Sequence, residues 1–180
     1  SIQETLKSFP DPFSIFYQPI DKNNLIIIND NSLNAQMEYY EDYQGIIKSA
    51  FGNFKKDSVE ILNDVFKNND FSSAQKASEI YKILTDDFIK LAVPSSLLEF
   101  HKKIIQHYQN SFMIYQAVSQ YSYDPLKTYL AVKAIPKLYD EAKEIQNLFK
   151  KILEERIKDF NLLKEKKIFF GKFSRFSSIF

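Results

Sequence analysis

The sequence predicts an all-α protein, an antiparallel bundle of about four long helices. Three observations carry this reading. Only 3 Gly and 6 Pro in 180 residues leave too few turn residues for an ordinary sheet protein. Apolar residues recur at seven-residue spacing through long stretches, and residues suited to starting or stopping a helix fall where those stretches begin and end. The bundle is expected over residues 32–160, with an extended N-terminal arm at 1–31 and a basic, aromatic tail at 161–180.

In the arm, Pro10, Pro12 and Pro19 interrupt Phe9, Phe13, Ile15, Phe16 and Tyr17, which excludes a continuous helix but supplies apolar anchors. Leu25 to Ile28, flanked by Asn24 and Asn29, has the composition of a short strand. No second strand pattern is available to pair with it, so an extended segment lying in a groove is expected.

The first helix begins near Ser32, after Asn29-Asp30-Asn31. Leu33, Tyr40, Ile47, Phe54 and Ile61 keep one register through Gly45 and Gly52, which predicts a single long helix to about Asn68, bent near the glycines. Ser72-Ser73-Ala74-Gln75 has capping-box spacing and opens a second helix that Val93-Pro94 ends. Ser96-Leu97-Leu98-Glu99 repeats that spacing and opens the third. There Leu97, Ile104, Ser111 and Val118, with His101, Tyr108 and Tyr115 between them, form one seam, Leu98, Ile105 and Phe112 a second row, and Phe100, Ile114 and Tyr121 a third, so the helix is apolar around most of its circumference and central. Asp124 caps the fourth helix, Pro125 occupies its first position, and Leu126, Leu130, Leu138, Ala142, Ile145, Phe149 and Ile152 are expected to face the core, with a kink near Pro136.

Composition limits the function classes. The chain has no Cys, which excludes disulfides and thiolate metal sites, and 24 basic against 23 acidic side chains provide no global field for nucleic acid or an anionic membrane. No apolar run reaches the roughly 20 residues of a membrane span. Basic residues are 22 Lys and 2 Arg, in keeping with the codon bias of an AT-rich genome. The chain begins with Ser, so a mature or trimmed form is expected, with a signal or anchor upstream.

The chemistry is sparse. His101 and His107 are the only histidines, neither follows a Glu by three residues, and their six-residue separation places them about 120° apart on a helix, so they build neither a di-iron site nor a chelate. His101 is expected to be a hydrogen-bonded core residue. Gly45, Gly52 and Gly171 form no phosphate loop, and no serine sits in a nucleophile elbow. Asp57, Glu60 and Asp64 share a helical face that could hold a cation, although a solvated face has the same pattern. No enzyme, cofactor or metal is expected. The many tyrosines are expected mainly in the core, and any that prove exposed would mark a binding surface.

From Lys164 to Phe180, five cations interleave with seven Phe and Ile residues against the single acid Glu165. The candidate partner-binding residues are Lys167, Phe169, Phe170, Lys172, Phe173, Arg175 and Phe176. Such a tail can dock on the bundle, lie at a membrane interface, or bind another subunit. Nucleic-acid binding is not expected, because little else in the chain would extend the patch.

The run Val93 to His101, the later Tyr123-Asp124-Pro125-Leu126 and a Lys-Glu-rich final helix resemble uncharacterised all-helical proteins of reduced-genome bacteria, which usually carry an N-terminal signal or anchor. The resemblance covers roughly residues 28–160 and implies an extracytoplasmic, membrane-tethered or secreted domain. It carries over no function and no site residue. The resulting expectation is a non-enzymatic interaction or scaffold module of a cell-surface or secretion-related assembly, with a protein partner. Two alternatives are a carrier of a small apolar ligand, with a cavity lined by Phe51, Phe54, Tyr108, Phe112 and Tyr115, and a cytosolic adaptor or secreted effector.

Overall fold

A computed structural model describes residues 11–159 and is all-helical apart from one pair of very short strands. Its helices are α1 (Leu33–Phe51), α2 (Ser58–Asn68), α3 (Ser72–Lys90), α4 (Leu98–Ser119) and α5 (Pro125–Asp159). The chain divides into two compact units, Ser1–Leu138 and Tyr139–Phe180, and α5 runs across the boundary.

The expected first helix is two helices. Gly52 follows α1 with φ +49° and ψ −114°, a conformation that side chains with a Cβ rarely adopt, and its N–H donates to the Lys48 carbonyl at 3.1 Å. After a short linker, Asp57 starts α2 with a reciprocal cap: its side chain accepts from Glu60 N–H at 2.8 Å, and the Glu60 carboxylate accepts from Asp57 N–H at 2.9 Å. Asn69 ends α2 in the left-handed region with φ +53°.

The strand expectation also needs correction. Ile27–Ile28 (β1) pairs in parallel with Val93–Pro94 (β2), and Val93 N–H donates to the Ile26 carbonyl at 2.8 Å. Asn31 fastens the same junction, accepting from Ser96 N–H at 2.8 Å and donating through Nδ2 to Ser95 Oγ at 2.9 Å. Ser96 is therefore not the cap of α4, which follows a 3-10 turn over Ser95–Leu97. At α3 the expected Ser72 cap is replaced by the preceding acid, with Asp70 accepting from Ser72 N–H at 2.9 Å.

The packing centres on α4, as its apolar rows predict. Phe88 of α3 meets His101 and Tyr108, and Tyr81 meets Tyr108 and Tyr115, so the ring partners advance along α4 as they retreat along α3. The two helices are antiparallel. A core that includes Ala74 and Ala77 of α3 joins Ile114 and Val118 to Ile61 and Val65 of α2 and to Ala131, Ala134 and Leu138 of α5. Ala131 and Ala134 are buried there, and buried Thr128 donates through Oγ1 to the Ala117 carbonyl at 2.7 Å. The segment before β1 is anchored as well: a 3-10 turn over Pro12–Ile15, capped by Asp11, sets Phe13 and Phe16 into this core.

The glycine within α1 and the one that ends it make opposite predictions. Gly52→Ala forces a Cβ into a left-handed conformation and is expected to destabilise the fold by more than about 1 kcal/mol. Gly45→Ala, where an added Cβ meets nothing within 4 Å, is expected to stabilise it by roughly 0.5–1 kcal/mol. Urea unfolding followed by circular dichroism reads both.

Candidate interaction surface

The interior accounts for much of the chemistry that the sequence leaves open. His101 is fully buried, and its Nδ1 lies 2.9 Å from the Tyr39 hydroxyl. Rings of Tyr39 and Phe88 face it at 5.6 and 6.1 Å. Burial pushes its pKa down to about 4, and the Phe88 backbone opposes only part of that shift. The imidazole is therefore neutral at pH 7. A neutral ring that accepts from Tyr39 at Nδ1 carries its proton on Nε2, which makes no hydrogen bond of standard geometry. Burial likewise holds the hydroxyls of Tyr39, Tyr43 and Tyr108 well above the ordinary tyrosine range.

The acidic face of α2 is engaged in local structure. Asp57 and Glu60 cap each other's backbone, and Lys56 Nζ lies 2.5 Å from Asp64 Oδ2, holding that carboxyl below its usual range. Among the described residues, no group of three His, Asp or Glu side chains could hold a metal ion. Of the side chains expected to line a cavity, Tyr108 and Tyr115 stack on Tyr81 at 6.1 and 5.5 Å, Phe51 meets the same ring edge-on at 6.0 Å, and Tyr115 shares a hydrogen bond with Ser58 at 2.5 Å. Phe54 and Phe112 are half-buried.

The tail residues Lys167, Phe169, Phe170, Lys172, Phe173, Arg175 and Phe176 lie outside the described residues. Within the described chain, large apolar side chains gather outside the core around the α4–α5 turn. Tyr123 is 91% exposed, Leu126 54% and Phe66 46%, and Tyr121 and Tyr129 are also exposed. Phe66 of α2 meets Tyr121 edge-on at 5.1 Å, which brings α2 and the turn into one patch. The turn is held by Tyr123 and Asp124 N–H groups donating to the Gln120 carbonyl at 2.9 and 3.0 Å, and Asp124 accepts from Lys127 N–H at 2.9 Å. This hydrogen-bonded turn presents its rings to solvent.

Two of these residues are corrections. Leu126 and Tyr121 fit the apolar rows of their helices but lie outside the core. Leu126 occupies the first turn of α5, and α4 has already ended at Ser119, so the helix that covers Leu130 does not extend over it. The sequence signal that identifies the patch is a cap-and-proline turn, Asp124-Pro125, with Tyr123 and Leu126 on either side.

No family model, curated protein or solved structure matches the chain.

The buried imidazole predicts a specific pH dependence. Because its folded pKa lies below the unfolded value near 6.5, the unfolded state binds the extra proton between pH 6.5 and 4. The contribution is full above pH 6.5 and is lost as pH falls through that window. Compared with His101→Gln, the wild type is expected to lose on the order of 3 kcal/mol more stability between pH 7 and 4. Denaturant titrations of both proteins across that range test this, and parallel pH profiles would contradict it.

Proposed function

We propose that the protein is a non-enzymatic helical interaction module, extracytoplasmic and tethered or secreted, that works within a cell-surface or secretion-related assembly. The observation that supports this reading is the contrast between interior and exterior. His101 and the tyrosines around it are engaged in packing and hydrogen bonding, whereas Phe66, Tyr121, Tyr123, Leu126 and Tyr129 place large apolar groups in solvent. Aromatic side chains on a fixed backbone are effective anchors, since they offer large contact area and lose little rotamer freedom on binding. The resemblance of residues 28–160 to anchored helical proteins of reduced-genome bacteria directs the reading to the envelope.

The tail is the second part of the proposal. Lys167, Phe169, Phe170, Lys172, Phe173, Arg175 and Phe176 alternate cations with rings, a composition suited to engaging a protein partner through apolar anchors and charge.

Removal of residues 164–180 tests the tail directly. The shortened chain is expected to keep its helical circular dichroism and melting temperature while losing the partner recovered by crosslinking in intact cells. Unfolding of the shortened chain would make the tail part of the core. Unchanged crosslinking would place the partner site elsewhere. Protease treatment of intact cells tests the compartment, and complete protection from an external protease would overturn the extracytoplasmic reading.

A further inference from the structure

The exposed side of α5 has a charge pattern that the protein's near-neutral total conceals. Between Asp124 and Asp140 there is no acidic residue, while Lys127, Lys133 and Lys137 fall within the interval. Thr128, Leu130, Ala131, Ala134, Ile135 and Leu138 are buried, which fixes the rotation of this half of the helix. Leu126, Tyr129, Lys133 and Lys137 are exposed at spacings of three, four and four residues and therefore share one face. Over about 16 Å the stripe passes from apolar and aromatic at the turn to cationic farther along. Lys133 Nζ lies 5.6 Å from the Tyr129 ring centroid, so the two halves of the stripe meet.

We propose that this stripe, with Tyr121, Tyr123 and Phe66 at its aromatic end, is a docking surface for an anionic lipid bilayer. Three features favour a bilayer over an acidic protein. A Tyr ring 91% exposed at a turn stands away from the body of the protein, and a lipid interface can close around it without a preformed pocket. Tyr and Leu supply groups that settle at headgroup depth, while the lysines extend toward lipid phosphates. The cationic end of the stripe carries ammonium groups, which respond to the diffuse field of a charged surface from any angle of approach. Asp124, the one carboxylate at the turn, faces the start of α5 through its cap to Lys127 N–H. The tail is retained in every protein of the test.

The experiment is flotation of the full chain with vesicles of phosphatidylcholine alone and of phosphatidylcholine with about one third phosphatidylglycerol. Binding to the anionic vesicles is expected to be at least about tenfold tighter and to weaken with salt. Two double variants, Leu126→Gln with Tyr129→Ser and Lys133→Glu with Lys137→Glu, are each expected to lose about tenfold in anionic-vesicle binding while their circular dichroism and melting temperature stay unchanged. Equal binding to both vesicles, binding to neither, or variants that float like the wild type would overturn the proposal. Retention of soluble polyglutamate through Lys133 and Lys137, without flotation, would also overturn it and assign the stripe to an acidic protein.

Discussion

The antiparallel contact of α3 with α4 is the interaction on which the rest of the first unit depends. Phe88 and Tyr81, seven residues apart on α3, meet successive rings of α4 at His101, Tyr108 and Tyr115. The rings act as a register, because sliding either helix by one turn would place a ring against a gap. α1 then joins the same rings through Tyr43 on Phe88 and Phe51 on Tyr81, and α2 joins through the Ser58 contact with Tyr115. α1 and α2 thus each meet a side chain of the central pair.

An aromatic core of this kind must provide for the polar atoms it encloses. Tyrosine and histidine bring hydroxyl and ring nitrogen groups into a region where an unpaired donor or acceptor is costly. Tyr39 meets that requirement for His101 at Nδ1, and Thr128 pairs its own buried hydroxyl by donating to the Ala117 carbonyl of α4. Depressed histidine basicity and raised tyrosine pKa values both follow from excluding water around these groups. The interior thus favours one fixed arrangement of neutral groups, and part of the apolar material left outside it gathers at the α4–α5 turn.

That turn is exposed because of helix length. α4 stops at Ser119 while α5 starts at Pro125, and the intervening residues rise beyond the last layer of the core. Side chains there obey the local rules of their helices without a neighbour to cover them. An apolar row that is core along the middle of a helix becomes surface at its end, which is how an all-helical protein acquires an aromatic face without any break in its periodicity.

The sequence by itself determined the all-α class, the centrality of α4 and most helix limits. Pro94, Asp124-Pro125 and Asn68-Asn69-Asp70 act through backbone chemistry confined to a few residues, and the stops and starts they predict are present. Tertiary structure decided the remaining features. The register from Leu33 to Ile61 continues across the break at Gly52 because Ile47 and Ile61 both face the core, and a repeat in burial is the same whether the backbone between them is helical or not. The β1–β2 pair involves two residues on each side, too few for a periodic signal, and exists because the chain before α1 passes beside the α3–α4 connection. Leu126 shows the same limit: sequence spacing tells which residues share a face, but whether another element covers that face depends on where the neighbouring helix ends.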